Sequence, residues 1–165
     1  MKKLMAGLLM AGLLAVGQAR ANDSKTVLSL NAGIQTNLFS TTSFDVVQGT
    51  LDLRIGFRLG SSFQISPEFM FATSDKFHTD FGFLYPGIML NFVARDFFLG
   101  AGFVLPIIYG GEITTFNPAP KINLGFTSGS FILTAYIIMW MENTFSSSLN
   151  FPNFNYVGAT FGYRF

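Results

Sequence analysis

The chain has 165 residues, enough for one domain; half of them are hydrophobic and only 12% are charged. A soluble domain carries about 25% charged residues, so this composition does not suit a surface that faces water all round. A formal charge of +1 without a basic block argues against nucleic acid, and the absence of cysteine excludes disulfides and thiolate chemistry.

Residues 1–21, MKKLMAGLLMAGLLAVGQARA, open with Lys2 and Lys3, continue through an apolar run from Leu4 to about Gly17, and close on Ala19-Arg20-Ala21. This is the pattern of a secretory signal peptide, cut after Ala21. An uncleaved anchor is the competing reading, but the run is short for a spanning helix and the cleavage signal is well formed. Loss of Lys2, Lys3 and Arg20 turns the formal +1 into −2 for residues 22–165. That remainder is expected to be a single domain. It offers no stretch of about 18 to 20 apolar residues free of charge or breakers. The best candidate, residues 81–109, is interrupted by Pro86, Asn91, Arg95, Asp96 and Pro106.

What the remainder does offer is alternation. Residues 26–39 place Leu28, Leu30, Ala32, Ile34 and Leu38 on one face, against Ser29, Asn31, Gln35 and Asn37 on the other. This period of two is the signature of a strand. Residues 46–59 place Val47, Leu51, Leu53, Ile55, Phe57 and Leu59 opposite Gln48, Thr50, Asp52, Arg54 and Arg58. Residues 63–71 set Phe63, Ile65, Pro67, Phe69 and Phe71 against Gln64, Ser66 and Glu68. A fourth strand, 81–93, is apolar on both faces and its register stays open. The fifth, 97–109, sets Gly100 and Gly102 opposite Phe97, Leu99, Ala101, Phe103, Leu105 and Ile107. The sixth, 118–127, turns Ile122, Leu124 and Phe126 outward and Lys121 and Asn123 inward. The seventh, 130–142, turns Phe131, Leu133, Ala135, Ile137, Met139 and Met141 outward, with Thr134, Tyr136, Trp140 and Glu142 inward. The eighth is NYVGATFGYRF, in which Val157, Ala159, Phe161, Tyr163 and Phe165 alternate with Gly158, Thr160, Gly162 and Arg164.

Eight strands of about 9 to 14 residues suit tilted membrane crossings. Their connections alternate. STTSFD, TSDKFHT, GGEITTFN and NTFSSSLNFPN are long; GS, RD and SG are tight. Short turns on the periplasmic side and longer outer loops are the habit of transmembrane barrels, and an even strand number puts both termini on the periplasmic side. The expected fold is therefore all-β, an eight-stranded antiparallel up-and-down transmembrane barrel over residues 22–165. Closure by pairing the last strand with the first removes the free edges.

With these features, the chain resembles the small eight-stranded bacterial outer-membrane barrels of the OmpX and OmpA-transmembrane-domain type, and less strongly the OmpW type. The resemblance implies an integral outer-membrane protein, bathed in outer-membrane lipid and monomeric. It also implies that Val157, Ala159, Phe161, Tyr163 and Phe165 form a signal read by the barrel-assembly machinery. One departure is the aromatic content of 21 Phe, 5 Tyr and one Trp. Interfacial girdles favour Tyr and Trp, so the girdle is expected to be poorly defined.

Asp52, Arg54, Arg58, Glu68, Lys121, Glu142 and Arg164 all fall on faces assigned to the interior. Charges there need partners or water. An eight-stranded interior is about wide enough for side chains to fill, which favours a packed polar plug over a pore lining. Parity gives one pair. The second and third strands both turn odd residues outward, so a three-residue turn at residues 60–62 opposes Leu59 to Phe63, Arg58 to Gln64 and Arg54 to Glu68. Asp52 lies one step further along the same face. Gly100, Gly102, Gly158 and Gly162 leave room for large inward residues such as Tyr136 and Trp140. The only histidine, His78, lies near Asp75, Thr79 and Asp80. A lipid-modifying enzyme would need a serine nucleophile with such a base, but a lone His in a loop is ordinarily solvated, and zinc wants three or four ligands. The expected function is thus a non-enzymatic barrel, structural or surface-interacting, without cofactor or metal. A small channel or binding barrel is the first competitor and a lipid A or phospholipid-modifying enzyme the second.

Overall fold

The computed structural model describes residues 26–37, 47–74, 77–110, 113–139 and 155–165. Its strands are β1 (Thr26–Asn37), β2 (Val47–Leu59), β3 (Phe63–Thr73), β4 (Gly82–Ala94), β5 (Phe97–Val104), β6 (Ile107–Tyr109), β7 (Thr114–Thr115), β8 (Ala119–Ser128), β9 (Phe131–Met139) and β10 (Asn155–Arg164). Antiparallel pairing runs β3, β2, β1, β10, β9, β8, β5, β4 and returns to β3, so the sheet is closed. Closure rests on β1 and β10, which pair from Ser29 with Arg164 to Asn37 with Tyr156. Beyond this ladder Phe165 N donates to Leu28 O at 2.8 Å.

Ten strands make eight staves because two staves are interrupted. β5 and β6 both pair with β4 in one unbroken register, Gly87 opposite Val104 and Leu84 opposite Ile107. The gap between them is Leu105-Pro106, where Pro106 has no N–H to give the ladder. The neighbouring stave, β7 and β8, holds one extra residue. Val104 lies opposite Ala119 and Ile107 opposite Thr115, so residues 116–118 contain a bulge. The bulge shifts the alternation and packs Phe116 against the interior. GGEITTFN, expected to be a loop, therefore contributes β7 to the wall, because its two β-branched threonines extend the hairpin opposite Ile107 and Ile108.

The tight turns follow backbone chemistry. Gly60, at φ 78°, opens a three-residue turn that sets Leu59 against Phe63. Gly129, at φ 59°, takes the first central place of a two-residue turn closed by Ser128 and Phe131. That place favours glycine in a II′ hairpin. The turn is thus Gly129-Ser130, one residue later than the SG expected from sequence. Arg95 occupies the equivalent place at φ 54°.

The register of β4, left open by its sequence, is settled by both neighbours. Phe83, Tyr85, Met89 and Asn91 are buried inside, while Ile88, Leu90 and Phe92 point out. Across six staves the outer wall exposes Ile34, Leu51, Ile88, Leu99, Leu124 and Leu133 by 43 to 56% each. At the turn end, outward rings pair around the wall: Phe63 with Phe92, Phe97 with Phe126, Phe131 with Phe161 and Tyr163, and Tyr163 with Phe165. Among the described residues, the girdle expected to be poorly defined is a belt at this end, built mostly of Phe with Tyr163.

Candidate functional site: a layered barrel interior

Side chains inside the barrel form layers. Toward the long loops an apolar layer gathers Met70, Ala72, Phe83, Tyr85, Val104, Ala119, Tyr136, Ile138 and Tyr156. Gly158 makes room for it: a Cβ there would fall 2.4 Å from Tyr136 Cζ and Oη. The Tyr136 hydroxyl donates to Gln35 Oε1 at 3.0 Å, and Gln35 Nε2 donates to Gln48 Oε1 at 2.7 Å. The phenol thereby finds a polar partner while its ring stays in the apolar layer.

Below it lies a charged layer of Asp52, Arg54, Glu68 and Lys121, each no more than 5% exposed. Arg54 and Glu68 are direct register partners, and so are Arg58 and Gln64, as parity required. The guanidinium does not grip one carboxylate with two bonds. Arg54 Nη2 donates to Asp52 Oδ2 at 2.8 Å, while Nε sits 3.3 Å from Glu68 Oε2. The second contact is a charge contact without hydrogen-bond alignment. The strongest bond to Glu68 comes from across the barrel, where Lys121 Nζ on β8 donates to Oε1 at 2.6 Å. Lys121 also stands over the Tyr136 ring, 4.7 Å from its centre, a cation–π contact. Two carboxylates and two cations leave this layer with no net charge. Asn31 Nδ2 adds a bond to Asp52 Oδ2 at 3.3 Å, and Asn91 Nδ2 donates to Ser66 Oγ at 3.0 Å. Several buried polar atoms find no protein partner, among them Asp52 Oδ1, both amide atoms of Asn123, and the Thr134 and Thr160 hydroxyls. Atoms of this kind are completed by ordered water.

Of the seven interior charges expected from sequence, four meet in this layer. Arg58 is exposed and Arg164 half-buried, and both sit at the mouth at the turn end, where Arg164 Nη2 donates to Gly129 O at 2.8 Å. Glu142, like Trp140 and Met141, lies outside the described residues. What sequence reasoning missed is the Lys121–Glu68 bond. Its partners are 53 residues apart on staves that do not touch; only their shared inward parity hinted at it.

Val157, Ala159, Phe161, Tyr163 and Phe165 share the outward face of the closing stave, and Phe161, Tyr163 and Phe165 are each at least 44% exposed. His78 is exposed. Its carbonyl oxygen, not its ring, accepts from Ser74 N and Ser74 Oγ at 3.0 and 3.1 Å. Among the described residues no three His, Cys, Asp or Glu side chains gather as metal ligands.

An apolar wall outside, an interior that holds a buried charged layer beside an apolar one, and a sheet closed on itself define the class, an eight-stranded β-barrel with the fold of the small outer-membrane barrels. A solved structure agrees. The chain is similar to Neisserial surface protein A (NspA), with 13% identity, a TM-score of 0.59, and coverage of 84% of this chain and 95% of that one. It is also similar to Ail, the attachment invasion locus protein of Yersinia pestis. The crystal structure of Ail with the heparin analogue sucrose octasulfate matches at 14% identity and a TM-score of 0.48, covering 86% of this chain and 98% of Ail. The backbone structure of Ail in a phospholipid nanodisc matches at 12% and 0.48, covering 86% and 100%. No protein-family model and no curated protein sequence matches the chain.

Proposed function

We propose that the protein is an integral outer-membrane barrel without enzymatic activity, structural or surface-interacting in role, whose interior is closed by its polar layer. The observation that carries this reading is the charge-balanced quartet of Asp52, Arg54, Glu68 and Lys121, which bridges the lumen from β3 to β8. A pore would leave these side chains solvated and apart; here each is almost fully buried. Residues 1–21 are removed on export, and both barrel ends of the chain face the periplasm, on the side of the tight turns. The apolar wall contacts lipid as a monomer, and the outward face of β10 with Phe165 is read by the assembly machinery.

Reconstitution in planar bilayers tests the closed interior. The protein is expected to pass no steady ion current, and a stable, ion-selective conductance would replace this reading with that of a channel. Fractionation with N-terminal sequencing tests the rest. The expected product sits in the outer membrane and starts at Asn22; a soluble product starting at Met1 would overturn the assignment.

A further inference from the structure

Arg58, Arg95 and Arg164 line one cavity of about 50 Å³ at the turn end of the lumen. They reach it from the end of β2, the β4–β5 turn and the end of β10. The cavity reaches inward to Arg54, whose charge is already engaged by Asp52 and Glu68. None of the three mouth arginines forms an ion pair among the described residues. Asp96, on the same turn as Arg95, is exposed and does not line the cavity. The contrast with the layer beneath is sharp. There, two cations face two anions; among the described residues that line the mouth cavity, three further arginines stand with no acidic side chain.

Like charges gathered in one concavity raise its potential and draw counter-anions. Two further features suit a particular kind of anion. Arg164 is held by the Gly129 carbonyl, so part of its fork is fixed before any ligand arrives. Arg95 keeps a long charged side chain at a left-handed turn position, φ 54°, where glycine would sit without strain. Ser29 also lines the cavity, and its hydroxyl accepts from Asn31 Nδ2 at 3.4 Å, which leaves its own proton to donate. At about 10–15 Å³ to admit one water, the cavity of about 50 Å³ holds several waters, space that a small oxyanion can take over. Planar guanidinium forks from three sides match such an anion better than a monatomic one.

The geometry points to a phosphate-binding site at the turn-end mouth, formed by Arg58, Arg95 and Arg164, for either a soluble phosphate or the phosphate of an anionic lipid headgroup. The site does not depend on whether the layer beneath it conducts ions. The test follows the arginine Nε–H resonances by NMR in uncharged glucoside detergent, with sodium phosphate titrated against sodium chloride at constant ionic strength. Saturable shifts are expected at the three mouth arginines, with none at the engaged Arg54. Arg58→Gln and Arg164→Gln should each weaken binding about tenfold, the worth of one charge-assisted bond. Arg95→Gln, at an exposed turn, should do the same with an unchanged β-sheet circular dichroism spectrum, which separates lost binding from lost folding. A second arm uses phosphate-free buffer and vesicles of phosphatidylcholine with or without phosphatidylglycerol. Shifts with inorganic phosphate assign the soluble source; shifts that need phosphatidylglycerol assign the lipid. The site is overturned by the absence of saturable shifts in both arms, by equal binding of chloride, or by undiminished affinity in the Arg58→Gln/Arg164→Gln double variant.

Discussion

Replacing Glu68 by glutamine keeps the shape of the side chain and deletes one charge from the balanced layer. Its carboxylate lies 2.6 Å from Lys121 Nζ and 3.3 Å from Arg54 Nε, with all three side chains at most 4% exposed. At an effective dielectric of about 20, the Lys121 contact alone is worth about 6 kcal/mol of gross attraction. Desolvating two ions costs several kcal/mol each, so the pair as a whole is near break-even. Removing one partner is a different matter, because Lys121 stays buried with its desolvation no longer offset. Such losses run at about 3 to 5 kcal/mol. The unpartnered polar atoms nearby require water, which screens the orphaned cation and places the expected loss near the lower value, about 3 kcal/mol. The double variant Glu68→Gln/Lys121→Met leaves Asp52 and Arg54 paired and restores neutrality, so it should recover about 2 kcal/mol of that loss. Urea unfolding in lipid vesicles, read by the shift in midpoint at constant slope, measures both. A loss below about 1 kcal/mol for the single variant, the range of solvent-exposed pairs, would refute the buried layer and show a wide, wet interior.

Three other expectations concern the wall and the turns. Gly158→Ala sets a Cβ against the Tyr136 ring and within 2.8 Å of Ile34 O; it should cost about 1–3 kcal/mol by overpacking, and adding Gly158→Ala to a Tyr136→Ala background should cost less by urea midpoint than adding it to the parent, the remainder coming from the Ile34 carbonyl. Deleting Phe165 removes its bond to Leu28 O and its ring contact with Tyr163 at 5.0 Å, and assembly into membranes in a pulse–chase experiment should slow; an unchanged rate counts against a role for this residue in closure. Arg95→Gly relieves the left-handed backbone and should stabilise the barrel by about 0.5–1 kcal/mol while weakening phosphate binding at the mouth, and a variant that gains stability without losing binding would separate Arg95 from the site.

Much of this architecture is readable one strand at a time. Alternation in residues 26–37, 47–59 and 131–139 assigns each residue to the inside or the outside, since successive side chains leave a strand on opposite faces. Parity across a short turn then fixes the neighbour, which is how Arg54 meets Glu68 in register. The same reasoning fails where the alternation carries no contrast. β4 is apolar on both faces because its inward residues near the loops, Phe83 and Tyr85, belong to the apolar layer. It fails again at residues 116–118, where one extra residue reverses the parity and turns Phe116 inward.

The sequence by itself therefore determined the strands, their faces and the pairing of adjacent hairpin partners, because these follow from a period of two and from turn length, both local properties. Only the tertiary structure decided which inward residues share a level of the barrel. That depends on the stagger accumulated over eight tilted strands, a collective quantity that no single segment encodes. Closure is what brings Lys121 on β8 to Glu68 on β3, sets an apolar layer above the charged one, and leaves three arginines together around one mouth cavity whose described lining holds no acidic side chain.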